Sequence, residues 1–223
     1  WHNLVGKRAN FSMIYREGVL MLRRKIEKQI ADWIKYDKRA LLVYGVRQAG
    51  KTFIIRECLE KAGCDYVEFN LIEEPEVIRI LQESPSTEDL ILRLSLYSSR
   101  PIRPGVTFLF FDEVQRYKEL VTRIKFLVED HRFRYILSGS LLGVEITNLR
   151  SAPVGYLKTL KLYPLDFEEF ATALGEDLML EYIRNCYEKR IPLDQKMHPK
   201  AMRIFREYML VGGMPQSVVA YLE

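Results

Sequence analysis

Apolar residues along the chain follow two different periods. In LRRKIEKQIADWIKY, Leu22, Ile26, Ile30 and Trp33 recur at spacings of four, four and three, with charges on the other face, which predicts an amphipathic helix. Short apolar runs predict buried strands: ALLVYG (40–45), YVEFN (66–70) behind the turn AGCD, VTFLFFDE, RYILSGS and LKTLKLYP. Between them, ESPSTEDL offers Ser and Thr as N-caps before the stripe Leu90, Ile91, Leu94 and Tyr97, and RPIRPG breaks the chain at 100–105. ELVTRIKFLVED reads as a further helix, whereas the stretch after Asn70 reads only as polar and punctuated by proline. Apolar runs alternating with helical patterns predict an α/β fold with a parallel sheet.

From Asp166 the pattern changes to helix after helix: DFEEFATALG, EDLMLEYIRNCYEKR, PKAMRIFREYML and, after VGGMP, QSVVAYLE. The predicted organisation is therefore an N-terminal extension over 1–20, an α/β core over 21–165 and a small helical domain over 166–223. The last helix stops at Glu223 in mid-pattern, so the chain reads as cut short there. No apolar run approaches the roughly 20 residues that span a membrane, and no signal-peptide core is present.

Charge adds one feature. The formal net charge is only +4, but residues 21–56 hold ten Lys or Arg against three Asp or Glu. A solvated helix face accounts for this readily; the sharper reading is a phosphate or nucleic-acid surface through Arg23, Arg24, Lys25 and Lys28. Three cysteines, Cys58, Cys64 and Cys186, have no metal-ligand spacing and fit no closed disulfide framework, which points to a reducing, cytoplasmic setting.

The chemistry concentrates in GVRQAGKT, residues 45–52, which satisfies G-x-x-x-x-G-K-[ST] between a predicted strand and a predicted helix. Glycines there let the backbone wrap an anion, and the amides of Gly45, Val46, Arg47, Gln48, Ala49, Gly50, Lys51, Thr52 and Phe53 form the cradle together with the helix N-terminus. In this reading Lys51 reaches the β- and γ-phosphates of ATP, and the Thr52 hydroxyl ligates Mg²⁺. An N-K-x-D guanine-reading segment is absent, which disfavours GTP.

FLFFDEVQ supplies the second part. Asp112 at a strand end is the other expected Mg²⁺ ligand, and Glu113 is the candidate base for a water attacking the γ-phosphate. Lys51 and Asp112 stand 61 positions apart with one strand between, a spacing that fits the branch of the P-loop fold with an extra strand inserted there. RYILSGS supplies a third part, in which Ser138 and Ser140 are both candidates to contact the γ-phosphate or the lytic water.

With these parts in order, the chain resembles the AAA-type P-loop ATPases of bacteria and archaea. The likeness rests on RQAGKT, FFDEVQ, SGSLLG, PVG followed by YPLDFEEF, and YMLVGGMP. It implies a three-layer sandwich with a five-stranded sheet in the order 5-1-4-3-2, a helical lid, Mg-ATP and a C-terminal extension. It leaves room for a homo-oligomer and for a DNA or protein partner. Many members of the family it resembles carry a basic residue directly after the glycine of PVG, where a positive charge for the γ-phosphate is needed; here that residue is Tyr156. Arg150 and Lys158 are the nearby basic residues, and Arg150 is counted among the catalytic candidates. Arg203 and Arg206 are candidate phosphate sensors in the helical domain. The competing readings are an ATP-gated switch or scaffold with negligible turnover, and a small-molecule kinase, which would need an Arg-bearing lid rather than two consecutive carboxylates.

Overall fold

The computed structural model describes residues 14–16, 19–140 and 155–223. In chain order the elements are a hairpin of β1 (Ile14–Arg16) and β2 (Val19–Met21), α1 (Ile26–Tyr36), β3 (Ala40–Gly45), α2 (Lys51–Lys61), β4 (Asp65–Asn70), α3 (Pro75–Glu83) and α4 (Thr87–Tyr97). There follow β5 (Thr107–Asp112), a 3₁₀ turn (Val114–Arg116), α5 (Glu119–Glu129), β6 (Arg134–Ser140), β7 (Leu157–Leu162), α6 (Phe167–Ala173), α7 (Asp177–Lys189), α8 (Met197–Val211) and α9 (Pro215–Leu222).

These elements form two compact units. One is continuous, residues 26–163; the other joins the chain up to Lys25 with residues 164–223. Both boundaries differ from those read in the sequence, because residues 21–25, Pro164 and Leu165 belong to the second unit.

In the first unit five strands run parallel in the order β4-β5-β6-β3-β7. Counting β3 to β7 as one to five, this is 2-3-4-1-5, the P-loop order seen from the opposite edge. The period-two alternation of the strands divides two cores. Leu41, Val43, Phe108, Phe110 and Ile136 pack with Ile30 and Trp33 of α1 and Ile54 and Ile55 of α2. Their neighbours Leu42, Leu109, Phe111, Tyr135 and Leu137 face α3, α4 and α5 through Val77, Leu94 and Ile124. Burial on both faces explains why these strands read as unbroken apolar runs. Arg134 ties α1 to the sheet: its guanidinium lies 4.5 Å from the Trp33 ring centroid and 4.6 Å from that of Phe108. It also donates to the carbonyls of Trp33, Ile34 and Asp37, which end α1.

Two helix starts differ from the sequence reading. α1 begins at Ile26, and Leu22, which shares its apolar spacing, instead packs in the second unit against Leu165, Phe170 and Val218. α3 occupies the segment read as proline-punctuated coil; Pro75 is its first residue, where a missing N–H breaks no bond. The expected cap of α4 is present, with the Ser86 hydroxyl accepting the Asp89 N–H at 3.2 Å.

The second unit contains the hairpin and α6–α9. Asp166 and Glu169 form a reciprocal capping box at the start of α6. Gly212 ends α8 with φ 77°, and Gly213 passes so near Leu165 that a Cβ would lie 2.1 Å from its carbonyl oxygen. No helix among the described residues is long and apolar enough to cross a membrane.

Candidate functional site

Parallel strands leave their C-terminal ends along one edge of the sheet, where ligands of open α/β folds bind. Gly45 and Ser140 are register partners at that edge, and Asp112 follows Phe111, the partner of Leu137. The sequence-predicted residues Gly45–Phe53, Asp112, Glu113, Ser138 and Ser140 therefore gather at the ends of three adjacent strands. Arg150 lies outside the described residues.

The loop between β3 and α2 turns through Gln48 at φ 61° and Gly50 at φ 88°, and the helix starts at Lys51 with no side-chain cap on its free amides. Gly45 is required for a reason the motif does not express: a Cβ there would lie 2.1 Å from the carbonyl oxygen of Leu162. The Lys51 ammonium folds back on the loop, donating to the carbonyls of Val46 at 2.9 Å and Gly45 at 3.4 Å. It is 7% exposed, and burial lowers its pKa against the opposing pull of Glu113 and Asp112. Phe53 stands on the exposed side of α2.

Asp112 is 4% exposed and accepts, among the described residues, from two hydroxyls and one amide. Thr52 Oγ1 donates to its Oδ2 at 2.7 Å, Ser138 Oγ donates to Oδ1, and the Glu113 N–H donates to Oδ1 at 2.9 Å. The two serines are thereby told apart. Ser138 is committed to Asp112, whereas Ser140 Oγ, in a residue 2% exposed, has no partner among the described residues. A buried hydroxyl without a partner is a costly arrangement that a ligand oxygen would relieve.

Glu113 occupies the left-handed region with φ 58°, a strained conformation for a side chain of this size. Its carboxylate accepts from Gln115 Nε2, and Gln115 Oε1 accepts the Ser140 N–H at 3.1 Å. The sequence reading passed over Gln115; its one signal was its place two residues beyond Glu113 in DEVQ.

Thr52 and Asp112 suit Mg²⁺. They present hard oxygen donors side by side, and among the described residues no cluster of three or more His, Cys, Asp or Glu forms an all-protein cage. Mg²⁺ characteristically takes one or two protein oxygens and completes its shell with phosphates and water.

Residues proposed as sources of positive charge are placed elsewhere. Leu157 pairs with Ala40 at the N-terminal end of β3, so Tyr156 and Lys158 lie at the edge of the sheet opposite the cradle. The Tyr156 hydroxyl donates to Glu129 Oε1 at 2.7 Å, and Lys158 Nζ lies 3.9 Å from Asp37 Oδ2. In the second unit Arg203 is 3.9 Å from Glu207 and Arg206 is exposed.

The basic stretch is largely committed within the second unit. Arg24 Nε lies 3.3 Å from Glu169 with both side chains under a tenth exposed, and Lys25 Nζ pairs with Asp166 at 2.6 Å and with Glu168. Of the four residues read as a nucleic-acid surface, Arg23, Lys25 and Lys28 are exposed, Lys25 within its ion pairs, and Arg24 is buried.

The strand order and the loop between β3 and α2 define a P-loop NTPase fold. Residues 37–171 match the family model described as an AAA domain, and the chain belongs to that family of P-loop ATPases. An uncharacterised protein of Methanocaldococcus jannaschii is 28% identical over 182 residues, which cover 78% of this chain and 35% of the relative. The chain thus spans about a third of the length of that relative. Among solved structures, the Walker-type ATPase Paby2304 of Pyrococcus abyssi is similar in fold, with TM-score 0.50, 16% identity and coverage of 93% of this chain and 67% of that one. The Orc1 protein of Aeropyrum pernix, solved in complex with DNA, gives TM-score 0.41 and 17% identity over 69% of this chain and 47% of its own.

Proposed function

We propose that the chain is a cytoplasmic Mg-dependent ATPase that cleaves the γ-phosphate slowly on its own and whose helical unit responds to the nucleotide. The observation that carries this reading is the group of buried polar atoms around Asp112. Among the described residues, a carboxylate held by hydroxyls and an amide, an ammonium held by carbonyls and a hydroxyl without a partner converge on the end of one sheet.

Each group has a role in that reaction. The free amides at the start of α2 and the Lys51 ammonium bind the phosphates, exchanging the loop carbonyls for better acceptors. Thr52 and Asp112 would hold Mg²⁺, which would supply positive charge to offset that of the phosphates. Glu113 takes a proton from the attacking water as the water oxygen bonds to the γ-phosphorus. The bridging P–O bond then breaks, its electron pair passes to the β-phosphate, and ADP and inorganic phosphate result. Ser140 Oγ contacts the γ-phosphate or that water.

Tyr156 supports the slow rate. An arginine finger contributes about 10³- to 10⁵-fold, and at the equivalent place this chain has a phenol bound to Glu129. The same observation favours a second reading, an ATP-gated switch or scaffold with negligible turnover, acting in a homo-oligomer or on a DNA or protein partner.

Glu113→Gln decides between them. On the ATPase reading it keeps ATP affinity by calorimetry and slows phosphate release about 10²- to 10⁴-fold. Wild-type turnover in the variant removes Glu113 as the base, and no turnover in the parent chain at any concentration supports the switch.

A further inference from the structure

The carboxylate of Glu113 is not free to choose its direction. Gln115, on the 3₁₀ turn that follows it, reaches back and donates its amide nitrogen to Glu113 Oε2. Which way that amide points is settled by its other end, since Oε1 accepts the backbone N–H of Ser140 at 3.1 Å. A backbone N–H only donates, so the amide oxygen must face β6 and the amide nitrogen must face the carboxylate. Ser140, in turn, has the buried hydroxyl that lacks a partner among the described residues. One side chain therefore links that residue to the Glu113 carboxylate at the neighbouring strand end.

We infer that Gln115 is a positioning residue that sets the orientation of Glu113 and couples it to Ser140. The inference rests on the reading of Glu113 as general base. When the Ser140 hydroxyl engages a phosphate oxygen or the attacking water, the Ser140 amide is the adjacent group that shifts, and Gln115 carries that shift to Glu113. Glu113 is susceptible to such control because its backbone is already strained at φ 58° and its own N–H is bound to Asp112. The hydrogen bond from Gln115 also restricts the carboxylate to one face. This differs from an ordinary packing role, which a methionine of similar length would fill.

The experiment compares Gln115→Met, Gln115→Glu, Glu113→Gln and the double variant Glu113→Gln/Gln115→Met in the full chain. Gln115→Met keeps volume but lacks both hydrogen-bonding ends. Its kcat for Mg-ATP should fall about 10- to 100-fold, the scale of one hydrogen bond to a charged group, with KM and ATP affinity unchanged and a modest loss of melting temperature from the Ser140 N–H left without its acceptor. Gln115→Glu keeps an acceptor for the Ser140 N–H but offers no donor to Glu113, so its loss should be at least as large. In the Glu113→Gln background Gln115→Met should cost nothing further, because its effect passes through Glu113. A wild-type kcat in Gln115→Met, a wild-type kcat in Gln115→Glu, which keeps the acceptor for the Ser140 N–H, or an additive loss in the double variant would each overturn the inference while leaving Glu113 as base. Wild-type turnover in Glu113→Gln, or none in the parent chain, would overturn both.

Discussion

Two clusters of charge in this molecule are built on opposite plans. Around α6, Arg24, Lys25 and Arg184 meet Asp166, Glu168 and Glu169, so cations and carboxylates satisfy one another. At the end of the sheet, Asp112 is met by hydroxyls and Lys51 by carbonyls, and among the described residues neither forms an ion pair. The first cluster is internally neutralised and reads as part of the fold. The second keeps charge buried and poorly compensated, which is unfavourable until a partner of the right charge arrives. Similar residue types thus mark a structural joint in one place and a candidate binding site in the other, and the difference lies in what faces them.

Replacing Lys51 should break the comparison most sharply. Its pKa is lowered from 10.5 by burial, so the charged form costs stability at neutral pH, a cost relieved only as pH rises through the folded value toward 10.5. Lys51→Ala should therefore leave the melting temperature unchanged or raised, while ATP affinity measured by calorimetry falls by about 2–5 kcal/mol, roughly 30-fold to several-thousandfold. Equal losses of stability and affinity would show that the cradle lysine belongs to the fold as Arg24 does.

Arg24 should behave in the opposite sense. Arg24→Met strands a buried Glu169 that also caps α6, and should destabilise the chain by about 3 kcal/mol in thermal unfolding, with ATP affinity of the folded protein unchanged. Binding of DNA that depended on Arg24 in a fully folded variant would reverse that assignment.

The smallest effect is at acid pH. Hydrogen bonds from Lys25 and then Arg184 lower the Glu168 pKa; for Asp166, burial raises it but the Lys25 ammonium and helix amides outweigh this, and the net shift is downward. Lowered carboxylate values contribute stability that is present above the unfolded pKa values, 3.8 and 4.5, and is lost as pH falls through the folded ones. These pairs are about half exposed, so each contributes at most about 1 kcal/mol. Lys25→Met should flatten this acid limb in melting curves followed from pH 6 downward; an unchanged limb would place the acid sensitivity elsewhere.

The core was legible because its signals are local. ALLVYG is a strand with the bounds its apolar run predicts, and the spacing of the cradle and DEVQ brought Thr52 and Asp112 to 2.7 Å. Misreadings arose where local signals conflict or are silent. Leu22 fits the period of α1 yet is claimed by the second unit, and Pro75 opens a helix where proline also marks coil. Gly45 matches the phosphate motif, but its close approach to Leu162 depends on a strand that begins more than 100 residues later. Ser138 and Ser140 cannot be distinguished in RYILSGS; only the register of β6 beside β5 sends one hydroxyl to Asp112 and leaves the other without a partner among the described residues.

The discontinuity of the helical unit bears on the order in which a ribosome delivers its parts. Lys25 finds Asp166 and Glu169 at sequence separations of 141 and 144. At about 5–20 residues per second of synthesis, the basic segment waits roughly 7–30 s for its carboxylates. The whole of residues 26–163 emerges in that interval and needs no residue outside it to complete its sheet. The unit of residues 26–163 can therefore mature during translation before Lys25 meets its carboxylates, and the discontinuous unit closes after the continuous one.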